Sequence, residues 1–175
     1  MKKILIVVDY QNDFVSGSLG FPGAVALEDR IAEKIDQYRG QGGEVAFTYD
    51  THEKDYMETQ EGQNLPVPHC LRGTPGWELY GKINALRTET DLCFEKNTFG
   101  SLTLAEYLKK SGYGLVELCG VVSNICVISN AVLAKAALPE AKIVVDASCT
   151  ASGDSSMNQK ALDVMSGLQI QILNG

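Results

Sequence analysis

Leu115-Val116-Glu117-Leu118-Cys119-Gly120-Val121-Val122-Ser123-Asn124-Ile125-Cys126-Val127 begins as a short apolar run and gives way, through a glycine and a Ser-Asn pair, to a helical pattern. A strand that turns directly into a helix is the repeating unit of a parallel sheet wrapped by helices. The same pattern recurs on both sides. Upstream, Ile4-Leu5-Ile6-Val7-Val8, Val45-Ala46-Phe47-Thr48-Tyr49 and Leu92-Cys93-Phe94 read as strands, and downstream Ile143-Val144-Val145 and Gln169-Ile170-Gln171-Ile172-Leu173 do. Between the first two, Leu27, Ile31, Ile35 and Tyr38 recur at helical spacing until Gly40, Gly42 and Gly43 stop the run. Further helices are expected from about Leu102 to Lys110, after Ser123-Asn124, and from about Ser155 to Met165. The expectation is a single-domain, three-layer, doubly wound α/β fold over residues 1–175, with a six-stranded parallel sheet flanked by helices.

Length and composition agree with that reading. The 175 residues suit one domain, and 45% apolar content supplies a core able to shut water out of a pocket. With 15 basic against 22 acidic residues, the formal net charge of -7 repels nucleic acid and anionic membrane surfaces, so a small-molecule substrate is expected rather than either of those. The apolar run after Met1-Lys2-Lys3 ends at Asp9 without a cleavage site, and no stretch approaches the roughly 20 apolar residues of a membrane span. A soluble, cytoplasmic protein follows as the expectation. Five cysteines, an odd number without finger spacing, argue for reduced thiols.

The segment from His52 to Arg87 breaks the alternation. It is rich in Pro, Gly and polar residues and too long for an ordinary connection, which marks a functional excursion at about 52–87, ordered by Pro66, Pro68 and Pro75.

Ligands of open parallel sheets bind beyond the carboxyl ends of the strands, which here are Asp9, Asp50, Lys96, the turn Gly120 to Cys126, and Asp146. Free cysteine is most often a small core residue. Cys126 alone of the five combines a strand end with a helix start, where unpaired N–H groups and the positive end of the dipole favour a thiolate. Asp9 could accept its proton and Lys96 could stabilise the charges that result. The only two histidines, His52 and His69, fall near one candidate site. Asp50 and His52 share a face at alternate positions, His69 can return from the excursion, and a carboxylate with two imidazoles suits a divalent metal.

Taken together, Val7-Val8-Asp9-Tyr10-Gln11-Asn12-Asp13-Phe14, Glu95-Lys96-Asn97-Thr98-Phe99 and Gly120 to Val127 resemble the isochorismatase-like cysteine hydrolases, in the same order and over essentially the whole chain. The resemblance puts that family's catalytic Asp-Lys-Cys triad on Asp9, Lys96 and Cys126. It implies a cis Val121-Val122 peptide and an oxyanion hole from the N–H groups of Val122 and Cys126. Asp50-Thr51-His52, Pro68-His69-Cys70 and Leu71 to Glu78 are similar to the nicotinamidase branch, which implies zinc or a similar ion on Asp50, His52 and His69, with Glu61 as a further carboxylate. The activity implied is hydrolysis of nicotinamide to nicotinate and ammonia, a step of NAD salvage, with Phe14, Leu19 and Phe99 around the ring and a homo-oligomer as the assembly. Another small-amide or ureido hydrolase of the family is the nearest alternative, and a non-catalytic metal-binding or thiol-sensing protein is the alternative from a different class.

Overall fold

The computed structural model describes residues 1–175. In chain order the elements are β1 (Lys3–Val8), α1 (Asn12–Val15), α2 (Pro22–Val25), α3 (Glu28–Gly40), β2 (Glu44–Asp50), α4 (Gln60–Asn64), α5 (Gly81–Leu86), β3 (Leu92–Lys96), α6 (Leu102–Ser111), β4 (Leu115–Val121), α7 (Ile128–Ala137), β5 (Lys142–Ala151), α8 (Ser155–Gly167) and β6 (Gln171–Leu173). The six strands form one sheet in the order β3-β2-β1-β4-β5-β6, and every neighbouring pair is parallel. The chain steps outward from β1 to β3, returns to lay β4 beside β1, and then steps outward the other way. A crevice therefore opens at the carboxyl ends of β1 and β4, where the winding reverses.

Both faces of the sheet are covered, which is why its strands read as unbroken apolar runs. Leu5, Val7, Val45 and Phe47 pack with Ile31, Ile35 and Tyr38 of α3. Ile4, Ile6, Val8, Val116 and Leu118 pack with Leu104 and Leu108 of α6, Ala131 and Ala134 of α7, and Leu162 and Met165 of α8. Each fully buried aliphatic side chain contributes about 1.5–3 kcal/mol relative to an exposed one. Helix ends are closed locally. Ser101 accepts from the Leu104 N–H at the start of α6, Gly112 takes a left-handed φ of 71° at its end, and Asp154 accepts from the N–H groups of Ser156 and Met157 to start α8.

Two strand boundaries differ from the sequence reading. β5 continues past Val145 through a register shift, so that Thr150 pairs with Gly120 and Ala151 with Val121. Asp146 is thus interior to the strand rather than at its carboxyl end, and it turns to Lys34 of α3. β6 begins at Gln171, because Gln169 takes φ of 64° to finish the turn after α8 while Ile170 enters the core. The long excursion is ordered as expected. His52 pairs with Leu71 in an isolated parallel bridge, the Trp77 indole N–H donates to Thr51 Oγ1 at 2.8 Å, and Asp13 Oδ2 accepts from the Cys70 N–H at 2.8 Å. No helix is long and apolar enough to cross a membrane.

Candidate active site

Asp9 follows the last residue of β1 and takes φ of 46°, a left-handed turn that aspartate tolerates better than most residues. Its N–H is shared between the carbonyl and hydroxyl of Thr48, and Thr48 Oγ1 donates to Asp9 Oδ1 at 2.6 Å. The other oxygen, Oδ2, is 2.6 Å from Lys96 Nζ but has no well-directed hydrogen-bond donor, so a lone pair remains for another proton. Lys96 Nζ also lies 3.8 Å from Cys126 Sγ and 3.6 Å from Asp50 Oδ1, and donates to the Thr98 carbonyl at 3.0 Å.

Cys126 lies in Ser123–Val127, a wide turn that leads into α7, after a cis Val121-Val122 peptide. Gly120 makes this approach possible. It holds φ of 104°, and a side chain there would collide with the carbonyl oxygen of Val8, so β4 could not pass this close to the end of β1. Asn130 ties the turn down by donating to the Cys126 and Phe99 carbonyls and accepting from the Ser101 N–H.

Asp9, Lys96 and Cys126 are 0%, 7% and 4% exposed, and burial sets the direction of the proton-affinity shift at Asp9 and Cys126. It raises the Asp9 carboxyl above the usual carboxylate range, although Lys96 opposes the shift. It also pushes the Cys126 thiol well above that of free cysteine, helped by Asp9 and opposed by Lys96. The lowered thiol expected from a helix start is therefore not what the site produces, because the loss of water outweighs the nearby N–H groups. Burial works against the Lys96 ammonium as well, but Asp9, Cys126 and Asp50 together hold its proton more tightly than in free lysine.

Beside this cluster, Asp50, His52, Glu61 and His69 bring one ligand-type atom each to within 4.8 Å of one another. His52 Nε2 and His69 Nε2 lie 3.2 and 3.3 Å from Asp50 Oδ2, and 3.6 and 3.7 Å from Glu61 Oε1. Glu61 is delivered by α4, whose start is capped by Thr59 Oγ1 accepting from the Gly62 N–H. The His69 Nδ1 faces the Val67 carbonyl at 2.8 Å, a bond that turns Nε2 toward the carboxylates as an orienting partner does for a metal ligand. Two imidazole nitrogens and two carboxylate oxygens converge on one point, and this donor set fits a divalent metal.

A cavity of about 370 Å³ joins the two clusters. Phe14, Leu19 and Phe99 line it, together with Asp50, Glu61, His69, Val122 and Cys126. Leu65 also reaches it, whereas Val67 holds His69 instead. Asn124 and Ile125 of the Gly120 to Cys126 turn complete the wall, with Phe21, Ser152, Gly153 and Asp154, which the sequence did not single out. The last three follow β5, and the signal for them is hidden by the register shift that lets this strand outrun its apolar core.

Fold and site define a class: a doubly wound α/β protein with a buried Asp-Lys-Cys cluster at its switch point, next to a four-donor metal-type cluster in the same cavity. The Isochorismatase domain matches residues 3–174. The chain is 32% identical over 144 residues to an uncharacterized isochorismatase family protein of Bacillus subtilis (strain 168), covering 75% of this chain and 78% of that one. It is 26% identical over 189 residues to the nicotinamidase/pyrazinamidase of Mycobacterium tuberculosis (strain ATCC 25618 / H37Rv), covering 98% of each. Among solved structures, the nicotinamidase/pyrazinamidase PncA of Bacillus subtilis superposes with a TM-score of 0.88 at 29% identity, over 99% of this chain and 100% of that one. The chain belongs to the isochorismatase family and is a hydrolase acting on amide C–N bonds.

Proposed function

We propose that this hydrolase is a metal-dependent nicotinamidase with Cys126 as nucleophile. The observation that carries the reading is the position of Lys96, whose one ammonium reaches Asp9, Cys126 and the metal-type residue Asp50, the last two of which line one cavity. The similarity to proteins described as nicotinamidase/pyrazinamidase supports the choice of amide.

In this reading Asp9 Oδ2 takes the Cys126 thiol proton as sulfur attacks the amide carbon. Lys96 stabilises both anions. The oxyanion is received by the N–H groups of Val122 and Cys126, a role worth about 3–4 kcal/mol per donor in a comparable hydrolase. Collapse breaks the C–N bond, and ammonia leaves with the proton returned by Asp9. Water, deprotonated by the same carboxylate, then splits the thioester and restores the thiol, giving nicotinate. Asp50, His52, Glu61 and His69 would hold zinc, which would supply a Lewis acid for the pyridine nitrogen. Phe14 and Phe99 supply aromatic walls for the ring, and Leu19 an aliphatic one.

Ammonia release from nicotinamide, measured before and after chelation and against a panel of aliphatic amides and ureido compounds, tests the proposal. Release that is lost on chelation and restored by zinc is expected. Preference for an aliphatic or ureido substrate would reassign the substrate. Zinc binding with no release from any of them would leave a metal-binding or sensing protein.

A further inference from the structure

Gln11 is fully buried, and its side chain serves the main chain of two other residues, Asp50 and Trp77. Its Oε1 accepts from the Asp50 N–H at 2.8 Å, and its Nε2 donates to the Asp50 carbonyl at 2.9 Å and to the Trp77 carbonyl at 2.8 Å. Holding both backbone groups of Asp50 with one planar amide fixes that residue in position and in rotation at the carboxyl end of β2. The geometry matters because Asp50 serves two clusters. Its Oδ2 faces His52 and His69 at 3.2 and 3.3 Å, while its Oδ1 faces Lys96 at 3.6 Å. A small rotation about the peptide would satisfy one cluster at the cost of the other. The bond to Trp77 fastens the same amide to the excursion that carries His69, and two residues on, Asp13 Oδ2 holds the Cys70 N–H beside that histidine.

We propose that Gln11 is a positioning residue that builds the metal cluster by locking Asp50, so that the segment after β1 supplies both the carboxylate Asp9 and the frame of the neighbouring metal site. This rests on the metal reading of Asp50, His52, Glu61 and His69. Outer partners of metal ligands typically change metal affinity 10- to 100-fold when removed. A glutamine that merely filled space would change thermal stability and leave metal affinity alone.

The test is a zinc titration of the metal-stripped full chain against a competing chromophoric chelator, with no activity measured. Gln11→Met keeps length and volume and removes all three hydrogen bonds; its zinc affinity should fall about 10- to 100-fold. Should that variant not fold, Gln11→Glu replaces it, since a carboxylate can still accept from the Asp50 N–H but has no donor for either carbonyl, and about a 10-fold loss is expected. Tyr38→Phe, which removes the hydrogen bond to Glu117 on the far side of α3, should bind zinc as the parent does and so separates positioning from general loss of stability. Parent-like affinity in a folded Gln11 variant overturns the proposal while the metal reading stands. A parent that takes up no zinc overturns the metal reading itself.

Discussion

Lys96 Nζ stands 2.6 Å from Asp9 Oδ2 with both side chains withdrawn from water, so each charge supports the other. Burial already raises the Asp9 carboxyl, and the Lys96 cation is what opposes it. As a base, Asp9 must be ionised, so activity should rise with pH through its titration. Lys96→Met removes the cation and should move that rising limb to higher pH by about 1–3 units, with kcat reduced at least about 100-fold at neutral pH. A pH profile of kcat/KM for parent and variant measures both. An unmoved limb would take Asp9 out of the role of base.

Burial and Asp9 together push the Cys126 thiol above that of free cysteine, against Lys96, so a resting thiol rather than a preformed thiolate is the expected state. Alkylation of Cys126 by iodoacetamide, followed by peptide mass spectrometry, should be slow at neutrality and should keep increasing up to about pH 9. A plateau already reached near pH 6 would show a stable thiolate and a different first step. Cys126→Ala should release no ammonia while retaining the zinc content of the parent.

Gly120 and Val8 meet so closely that any side chain at Gly120 strikes the Val8 carbonyl, and φ there is 104°. Gly120→Ala should therefore destabilise the fold by about 3 kcal/mol or more, through steric overlap and a left-handed backbone acting together. Chemical denaturation reports this directly. A loss below about 1 kcal/mol would mean that β1 and β4 can separate without harm, and that their close approach is not what brings Asp9 to Cys126.

Away from the site, Asp146 pairs with Lys34 at 2.7 Å and accepts from Ser148 and Asn174. Burial alone would raise its carboxyl, but these partners hold it down to about 2. A depressed folded value means that the unfolded chain binds the proton first. The stabilisation is full above about pH 4 and is lost as pH falls toward the folded value, by about 2 kcal/mol. Asp146→Asn should remove that part of the acid dependence in urea melts between about pH 4 and pH 2. Equal slopes for parent and variant would show that the network does not set acid stability.

Much of this was legible in the chain itself. Six apolar runs alternating with helical periodicity point to a parallel sheet covered on both faces, because parallel strands need crossover helices and those helices cover the sheet. Local chemistry also named Asp9, Lys96 and Cys126, since each ends a strand or starts a helix, and Asp50 with His52, since alternate residues share a face. The long reach of β5 was hidden, because its later pairing to β4 follows a register shift rather than an apolar pattern.

What tertiary structure alone decided is distance and solvent. The sequence by itself determined which residue types stand at the carboxyl ends of the strands. Only the strand order that lays β4 beside β1 brings Asp9 and Cys126 together beside one ammonium, and only the folded excursion carries Glu61 and His69 back to Asp50. The reversal of the expected thiol shift belongs to the same level. A helix start can be read from neighbouring residues, but the water it excludes depends on every element packed around it, and at Cys126 that exclusion outweighs the helix.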